Sequence, residues 1–417
     1  MTKKYFPLNK AQLEKIAESY PTPFYIYDEN AIVENARAII KAFSVFPSYL
    51  NYFAVKAMPN PAILKVLHKE GFGGDCSSLP ELLLCEMAGI KGEQIMFTSN
   101  ETPAEEYKKA MEMGAVINLD DITHIEFLEK TCGLPQLISV RYNPGNLKMG
   151  NSIIGNPIEA KYGFTREQVL EGFALLKKKG VTRFALHAMV ASNELNVAYH
   201  IETGKLLFEF AAEIKTKLGI SLEFINLGGG VGIPYKPEDK AIDYNELSCG
   251  LKKEADKILA PAGLQNVGIC TEWGRAITGP YGYLVGRAIH KKNIYRNYIG
   301  LDASMADLMR PGMYGAYHHI SVCGKEDSPA TETYDVVGSL CENCDKFAVQ
   351  RNLPKIDVGE LNGDLIIIHD AGAHGRAMGF NYNGKLRCGE LLLHADGTVQ
   401  QIRRRETIDD YFSTLLK

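Results

Sequence analysis

The chain has 417 residues, 46% of them hydrophobic and 23% charged, with 39 glycines and 18 prolines spread along its length. That exceeds one ordinary domain of roughly 100–200 residues, and the even spread of Gly and Pro excludes a low-complexity or linker-dominated chain. A formal net charge of −4 offers no general attraction to nucleic acid or to an acidic membrane, so small-molecule chemistry is the better expectation.

The opening MTKKYFPLNKAQLEK lacks an apolar h-region, and no stretch approaches the ~18 apolar residues of a membrane span. A soluble, cytoplasmic protein is expected. Nine cysteines, an odd number in no repeating frame, read as reduced thiols rather than a disulfide scaffold. From residue 49 the chain alternates short apolar runs with helical patterns. YLNYFAVK precedes PAILKVLHKEG, GGDCSS precedes LPELLLCEMAG, IMFTS precedes TPAEEYKKAMEMG, and AVINLDD precedes ITHIEFLEKTCG. LISVRYNP, RFALHAMVAS, LEFINLGGGVG and NVGICTEWGRA complete eight strand candidates. Such alternation calls for parallel strands with right-handed crossovers, and eight units favour a closed (β/α)₈ barrel of TIM type over an open doubly wound sheet. After about residue 280 the pattern turns to short alternating runs, GDLIIIHDAGAHG and LRCGELLLHADGTVQQIRR, in which ADGT is a hairpin signal. A second, mainly β domain is expected there, so the class is α/β plus β. The run RRR at 403–405 reads as the solvated face of a late strand.

Polar residues at the C-terminal ends of barrel strands face the mouth where such folds do their chemistry. Lys56 ends the first strand candidate. It is either a surface lysine or a desolvated one, nucleophilic enough to form a Schiff base with a carbonyl cofactor such as pyridoxal phosphate. That cofactor needs a phosphate cradle. GGGVG at 228–232 follows the seventh strand, and glycines let backbone N–H groups approach an anion without Cβ clash. Glycine also serves tight turns, and the missing Lys-Ser/Thr of a P-loop argues against ATP. A carboxylate is needed to keep the pyridine nitrogen protonated, and TEWGRA supplies Glu272 at the end of the eighth strand. The alternative is a structural Glu272–Arg275 pair.

With parts at strands one, seven and eight, the sequence resembles the fold-type III pyridoxal-phosphate decarboxylases, and among them most closely those acting on diaminopimelate. The likeness runs over nearly the whole chain through FAVKA, GGDCSSLPEL, VRYNP, KYGF, NLGGGVGIPY, EWGR, LMRPGMYGAYHHI, CENCD, DAGAHGRAMGFNYN and RRRET. It implies an alanine racemase/ornithine decarboxylase-like architecture: a cofactor-binding barrel over 35–280 and a β-sandwich or barrel domain from 1–34 with 281–417. It also implies a head-to-tail homodimer with shared active sites, and no nucleic-acid or membrane partner. By position, Lys56 carries the cofactor, Gly228, Gly229, Gly230 and Gly232 surround its phosphate, Glu272 meets the pyridine nitrogen, and Asp75 supports the site. Ser192, Gly274, Arg275 and His374 also align with cofactor-binding positions. Arg275, Arg310 and Tyr314 match positions that hold substrate carboxylates. Cys341 and Glu342 match a pair donated across the dimer, the cysteine beside the reacting carbon and the glutamate reading the distal amino group. Taken without the resemblance, Arg310 and Tyr314 would be a surface arginine and a core tyrosine.

The implied reaction is decarboxylation of meso-2,6-diaminopimelate to L-lysine, the last step of lysine biosynthesis. Fixed arginines suit it, because the substrate differs from lysine or ornithine by a distal carboxylate that a guanidinium fork reads bidentately. The sequence departs from the family in four places. LHAMVASN puts Met189 where a histidine usually stacks on the cofactor ring; a thioether packs against a ring but cannot titrate. His374 stands where a tyrosine usually touches the phosphate. Trp273 replaces a proline, and Cys344 makes CENC a Cys-x-x-Cys with no second ligand pair at finger-like spacing, so no metal is expected. His187 alone reads as a satisfied core histidine. The Met189 departure keeps open a decarboxylase of another amino acid, such as carboxynorspermidine, ornithine or a D-amino acid. A racemase is disfavoured because racemases of this fold place arginine at the pyridine nitrogen. A catalytically inactive regulatory protein of the same fold is the reading from a different class.

Overall fold

The computed structural model describes residues 4–148, 150 and 155–416. Its strands, in chain order, are β1 (Phe24–Asp28), β2 (Tyr49–Ala54), β3 (Gly73–Cys76), β4 (Ile95–Thr98), β5 (Val116–Leu119), β6 (Leu137–Arg141), β7 (Arg183–His187), β8 (Leu222–Asn226) and β9 (Gly268–Thr271). They continue with β10 (Gly282–Asn293), β11 (Asn297–Leu301), β12 (Ile320–Val322), β13 (Glu332–Val337), β14 (Lys346–Leu353), β15 (Leu365–Ile368), β16 (Gly389–Leu393) and β17 (Val399–Arg403).

One compact unit comprises Val33–Ile233 and Ala241–Ile277. In it β2 to β9 pair in parallel and close on themselves, β2 meeting β9 in the register Tyr49↔Ile269. All eight strand candidates form barrel strands. Runs such as VINL and LISVR are buried at every position, as parallel strands covered on both faces require. Tyr52, Met96, Val116, Leu137, Ala185, Phe224 and Cys270, one from each of seven strands, pack into a single cluster. The barrel is therefore filled, and what chemistry it does belongs at the strand ends.

The other unit takes the chain up to Ile32, Pro234–Lys240 and everything from Thr278 onward. Residues 234–240, inside the stretch expected to be barrel, thus belong to this unit. Its sheet runs β14-β13-β11-β10-β1-β16-β17, with β15 pairing β10 and β12. Strand β1 lies antiparallel to β10 and parallel to β16. Its residues alternate: Phe24 and Ile26 join the apolar core with Val285, Ile367 and Leu391, while Tyr25 and Tyr27 face the other way. Their hydroxyls donate to Asp307 O at 2.8 Å and to Glu390 Oε1 at 2.7 Å. ADGT makes the turn between β16 and β17, with Gly397 N–H donating to His394 O. In the arginine run Arg404 and Arg405 are exposed, as expected, while Arg403 is partly covered. Arg403 pairs with the buried Glu390, and Arg404 binds Asp410. Among the described residues no helix is long and apolar enough to cross a membrane.

Candidate active site

Lys56 sits in a 3₁₀ turn, Val55–Ala57, at the C-terminal end of β2. Val55 and Ala57 are buried and Lys56 is exposed, so the turn is anchored by its neighbours and the amine is left accessible. The side chain of Asn60 caps the next helix by accepting from Ala62 N–H at 3.0 Å, which fixes where the turn ends. Gly274 allows a second segment to lie against this turn, since a Cβ there would stand 2.7 Å from Ala57 Cβ.

Two carboxyl groups lie toward the ends of β3 and β9, the strands on either side of β2, with opposite electrostatics. Asp75, the penultimate residue of β3, is buried, and its Oδ1 has no hydrogen-bond partner among the described residues. Burial, then Glu272, push its pKa well up against the pull of Lys56. Glu272 follows β9 and is 7% exposed. Burial raises its pKa too, but His187, Lys56 and Arg141 outweigh that and hold it below the usual carboxylate range. Asn226 Nδ2 donates to Glu272 Oε1 at 2.8 Å. His187 Nε2 lies 3.1 Å from Glu272 Oε2, a close electrostatic contact off the line of a full hydrogen bond. Asn118 Nδ2 faces His187 Nδ1 at 2.8 Å; an amide donor at that nitrogen leaves the proton of a neutral ring on Nε2, turned to Glu272. His187 is thus buried and partnered as expected of a core histidine, but its partner is the carboxylate of the site.

The glycine loop is built for close backbone approach. Gly228 and Gly230 have φ of +69° and +101°, and a Cβ would meet Ala188 O at 2.1 Å and Ala191 O at 2.7 Å respectively. At Gly232 it would meet Asn193 C at 2.7 Å, and at Gly229 it would meet Glu272 O at 2.8 Å. Gly228 O accepts from Glu272 N–H at 2.8 Å, tying loop to carboxylate segment. Gly229 N–H donates to Met189 Sδ at 3.3 Å, so the thioether lies on the loop. Ser192, shortly after Met189, and Arg275, shortly after Glu272, are half-buried. Trp273 is buried between Tyr244, stacked at 5.8 Å, and Phe43, edge-on at 5.3 Å, which gives the indole at the proline position a packing role.

Sequence reasoning passed over Arg141 at the end of β6. Its Nε is buried without a hydrogen-bond partner among the described residues, Nη1 lies 3.5 Å from Asp120 Oδ1, and its charge acts on both Asp75 and Glu272. The signal was the one used for Lys56, a cation closing an apolar strand, here LISVR.

The remaining candidates lie in the sheet unit. Arg310–Tyr314 is a short helix, but Arg310 is 8% exposed and Tyr314 64%, the inverse of a surface arginine and a core tyrosine. Cys341 and Cys344 are exposed; their N–H groups donate to Asn383 Oδ1 and Glu342 Oε1 at 2.7 and 3.1 Å. His374 is half-buried with left-handed backbone, φ +53°. Among the described residues no group of three or more His, Cys, Asp or Glu side chains could hold a metal ion.

At the barrel end, a glycine loop packed too closely against its neighbours to admit a Cβ, an ionised buried carboxylate, a buried carboxyl oxygen lacking a partner among the described residues and an accessible amine fit pyridoxal phosphate in kind. Residues 29–279 match the family described as pyridoxal-dependent decarboxylase, pyridoxal binding domain. The chain is 44% identical to Protein TabA of Pseudomonas amygdali pv. tabaci over 98% of its own length and 94% of that protein's. It is 33% identical to the diaminopimelate decarboxylase of Methanothermobacter thermautotrophicus over 98% and 95% of the two chains. The crystal structure of diaminopimelate decarboxylase from Helicobacter pylori complexed with L-lysine superposes with a TM-score of 0.87 at 28% identity, covering 96% of this chain and 98% of that one.

Proposed function

This chain belongs to the pyridoxal-dependent decarboxylase family, and from that premise we propose that it converts meso-2,6-diaminopimelate to L-lysine and CO₂. The enzyme class is a pyridoxal-phosphate-dependent amino-acid decarboxylase. The observation that carries the substrate choice is the buried Arg310, a guanidinium fixed in the interior on a segment that matches carboxylate-binding positions. A buried fork of this kind recognises a planar anion bidentately, and substrates that lack the distal carboxylate forgo that interaction, which is the basis of discrimination against lysine and ornithine.

When bound, the cofactor supplies an electron-withdrawing ring that accepts the electron pair left as the α-carboxylate departs. Lys56 would hold it through its accessible amine. The loop Gly228–Gly232 would lie against its phosphate, its shape held by the N–H groups of Gly228, Gly229 and Gly232, which donate to Asn226 Oδ1, Met189 Sδ and Glu194 O, with Ser192, Gly274 and His374 assigned to the same group. Glu272, kept ionised by His187 and Asn226, would hold a proton on the pyridine nitrogen. Asp75, whose buried Oδ1 awaits a donor, would bind a polar atom of the ring system. Arg275, Arg310 and Tyr314 would take the substrate carboxylates. Cys341 and Glu342 would come from a second copy of the chain, Cys341 delivering the proton at Cα and Glu342 reading the distal amine. The exposure of Met313, Tyr314 and Tyr382 in the unit that carries those residues supports a homodimer.

Met189 in place of a ring-stacking imidazole favours a second reading, decarboxylation of a different amino acid. A panel of meso-diaminopimelate, lysine, ornithine, carboxynorspermidine and D-amino acids, scored by CO₂ release and product identity, decides between them. Release from diaminopimelate with L-lysine as product is expected; release only from another member overturns the substrate.

A further inference from the structure

Arg310 opens its helix with both N–H bonds of one nitrogen committed. Nη1 donates to the Tyr235 hydroxyl at 2.9 Å and lies 3.0 Å from His318 Nε2. All three side chains are buried, His318 completely. The guanidinium carbon stands 4.8 Å from the centre of the Tyr235 ring, and His318 meets that ring edge-on at 5.2 Å and 69°. The other nitrogen of His318, Nδ1, is 2.8 Å from His369 O. A carbonyl oxygen only accepts, so Nδ1 carries a proton; Arg310 only donates, so Nε2 presents a lone pair. Both contacts are met by one species alone, the neutral imidazole protonated at Nδ1. Asp370, the carboxylate that feels the charge of Arg310, is itself held by Lys4 Nζ at 2.7 Å.

We propose that His318, seated on the His369 carbonyl and assisted by Tyr235, is a positioning residue that aims Arg310 at a substrate carboxylate and thereby sets specificity. This rests on Arg310 being the carboxylate-binding residue. A guanidinium is a rigid plane, so fixing the two N–H bonds of one nitrogen fixes the direction of the whole fork. The choice of acceptor matters as much as its place. A carboxylate at the position of His318 would orient Arg310 equally well but would neutralise the charge the substrate must feel; an imidazole accepts the same bond and leaves that charge intact. Tyr235 follows the glycine loop in sequence, and His318 follows Arg310 by eight residues, so the arrangement joins two segments of the chain on one side chain.

The test compares His318→Phe, which keeps a ring and removes both polar contacts, with His318→Gln, whose amide can accept from Arg310 and donate to His369 O. Kinetics are measured with whichever amino acid the wild-type enzyme decarboxylates. A bond to a charged group contributes about 1.5–3 kcal/mol, so His318→Phe is expected to raise KM by roughly 10- to 100-fold while kcat changes less than about threefold. His318→Gln is expected to restore most of the loss, which a purely volumetric role for the ring would not produce. If His318→Phe does not fold, Tyr235→Phe, which deletes one acceptor and keeps the ring, carries the same expectation of raised KM at constant kcat. Unchanged KM in these variants, or kcat and KM falling together with no rescue by Gln, overturns the proposal. A substrate other than diaminopimelate would remove the proposed function and leave this result interpretable.

Discussion

Replacing Gly228 by alanine probes the phosphate cradle directly. A Cβ at 228 would stand 2.1 Å from Ala188 O, where unstrained contact needs about 3.5 Å. Ala188 cannot give way easily, because its own N–H donates to Asn226 O at 3.2 Å just beyond β7 and β8. The loop must therefore withdraw by more than about 1 Å. A withdrawal of that size breaks one or two charge-assisted bonds to a bound phosphate, each contributing about 1.5–3 kcal/mol, so pyridoxal-phosphate affinity is expected to fall at least about tenfold and up to roughly 10⁴-fold. The left-handed backbone at 228 adds about 1–2 kcal/mol of strain, visible separately as lower stability of the cofactor-free protein. Absorbance titration of the apoprotein with cofactor gives the first quantity and urea denaturation the second. Gly180→Ala is the control, since Gly180 has φ +95° with nothing within 4 Å of a Cβ and lies in a turn after the helix Arg166–Lys178. A folded Gly228→Ala protein with wild-type cofactor affinity would refute the cradle.

Three further outcomes are expected. His187→Leu removes the largest influence holding Glu272 down against burial, so Glu272 protonates at higher pH and the acid limb of the kcat/KM profile moves upward; an unmoved limb contradicts the coupling. Met189→His places a titratable ring on the loop, so kcat is expected to acquire an ionisation between about pH 5 and 8 that the wild type lacks. Mixing inactive Lys56→Ala with slow Cys341→Ala subunits is expected to restore about a quarter of wild-type activity, the share from random heterodimers with one intact site; no recovery argues against sites shared between subunits.

Much of the architecture was legible because it is local. Each barrel strand is a short apolar run followed by a helix, and Lys56, the glycine loop and Glu272 sit where those runs stop. What sequence could not reveal depends on pairings far apart in the chain. Strand β1 lies between β10 and β16, more than two hundred residues away, and nothing in FYIYD announces either partner. His187 looked like an ordinary core histidine because the carboxylate it faces is on β9's end. The Arg310 cluster draws Tyr235 from a segment that periodicity assigned to the barrel. Within RRR only Arg403 departs from a solvated face, because the acid it answers, Glu390, is on the neighbouring strand.

The whole account turns on the amine at the end of β2. The holoenzyme, reduced with borohydride, digested and analysed by mass spectrometry, is predicted to carry a phosphopyridoxyl group on the peptide containing Lys56 and on no other lysine. An unmodified Lys56 peptide in catalytically active enzyme, or the label on a different residue, would contradict it.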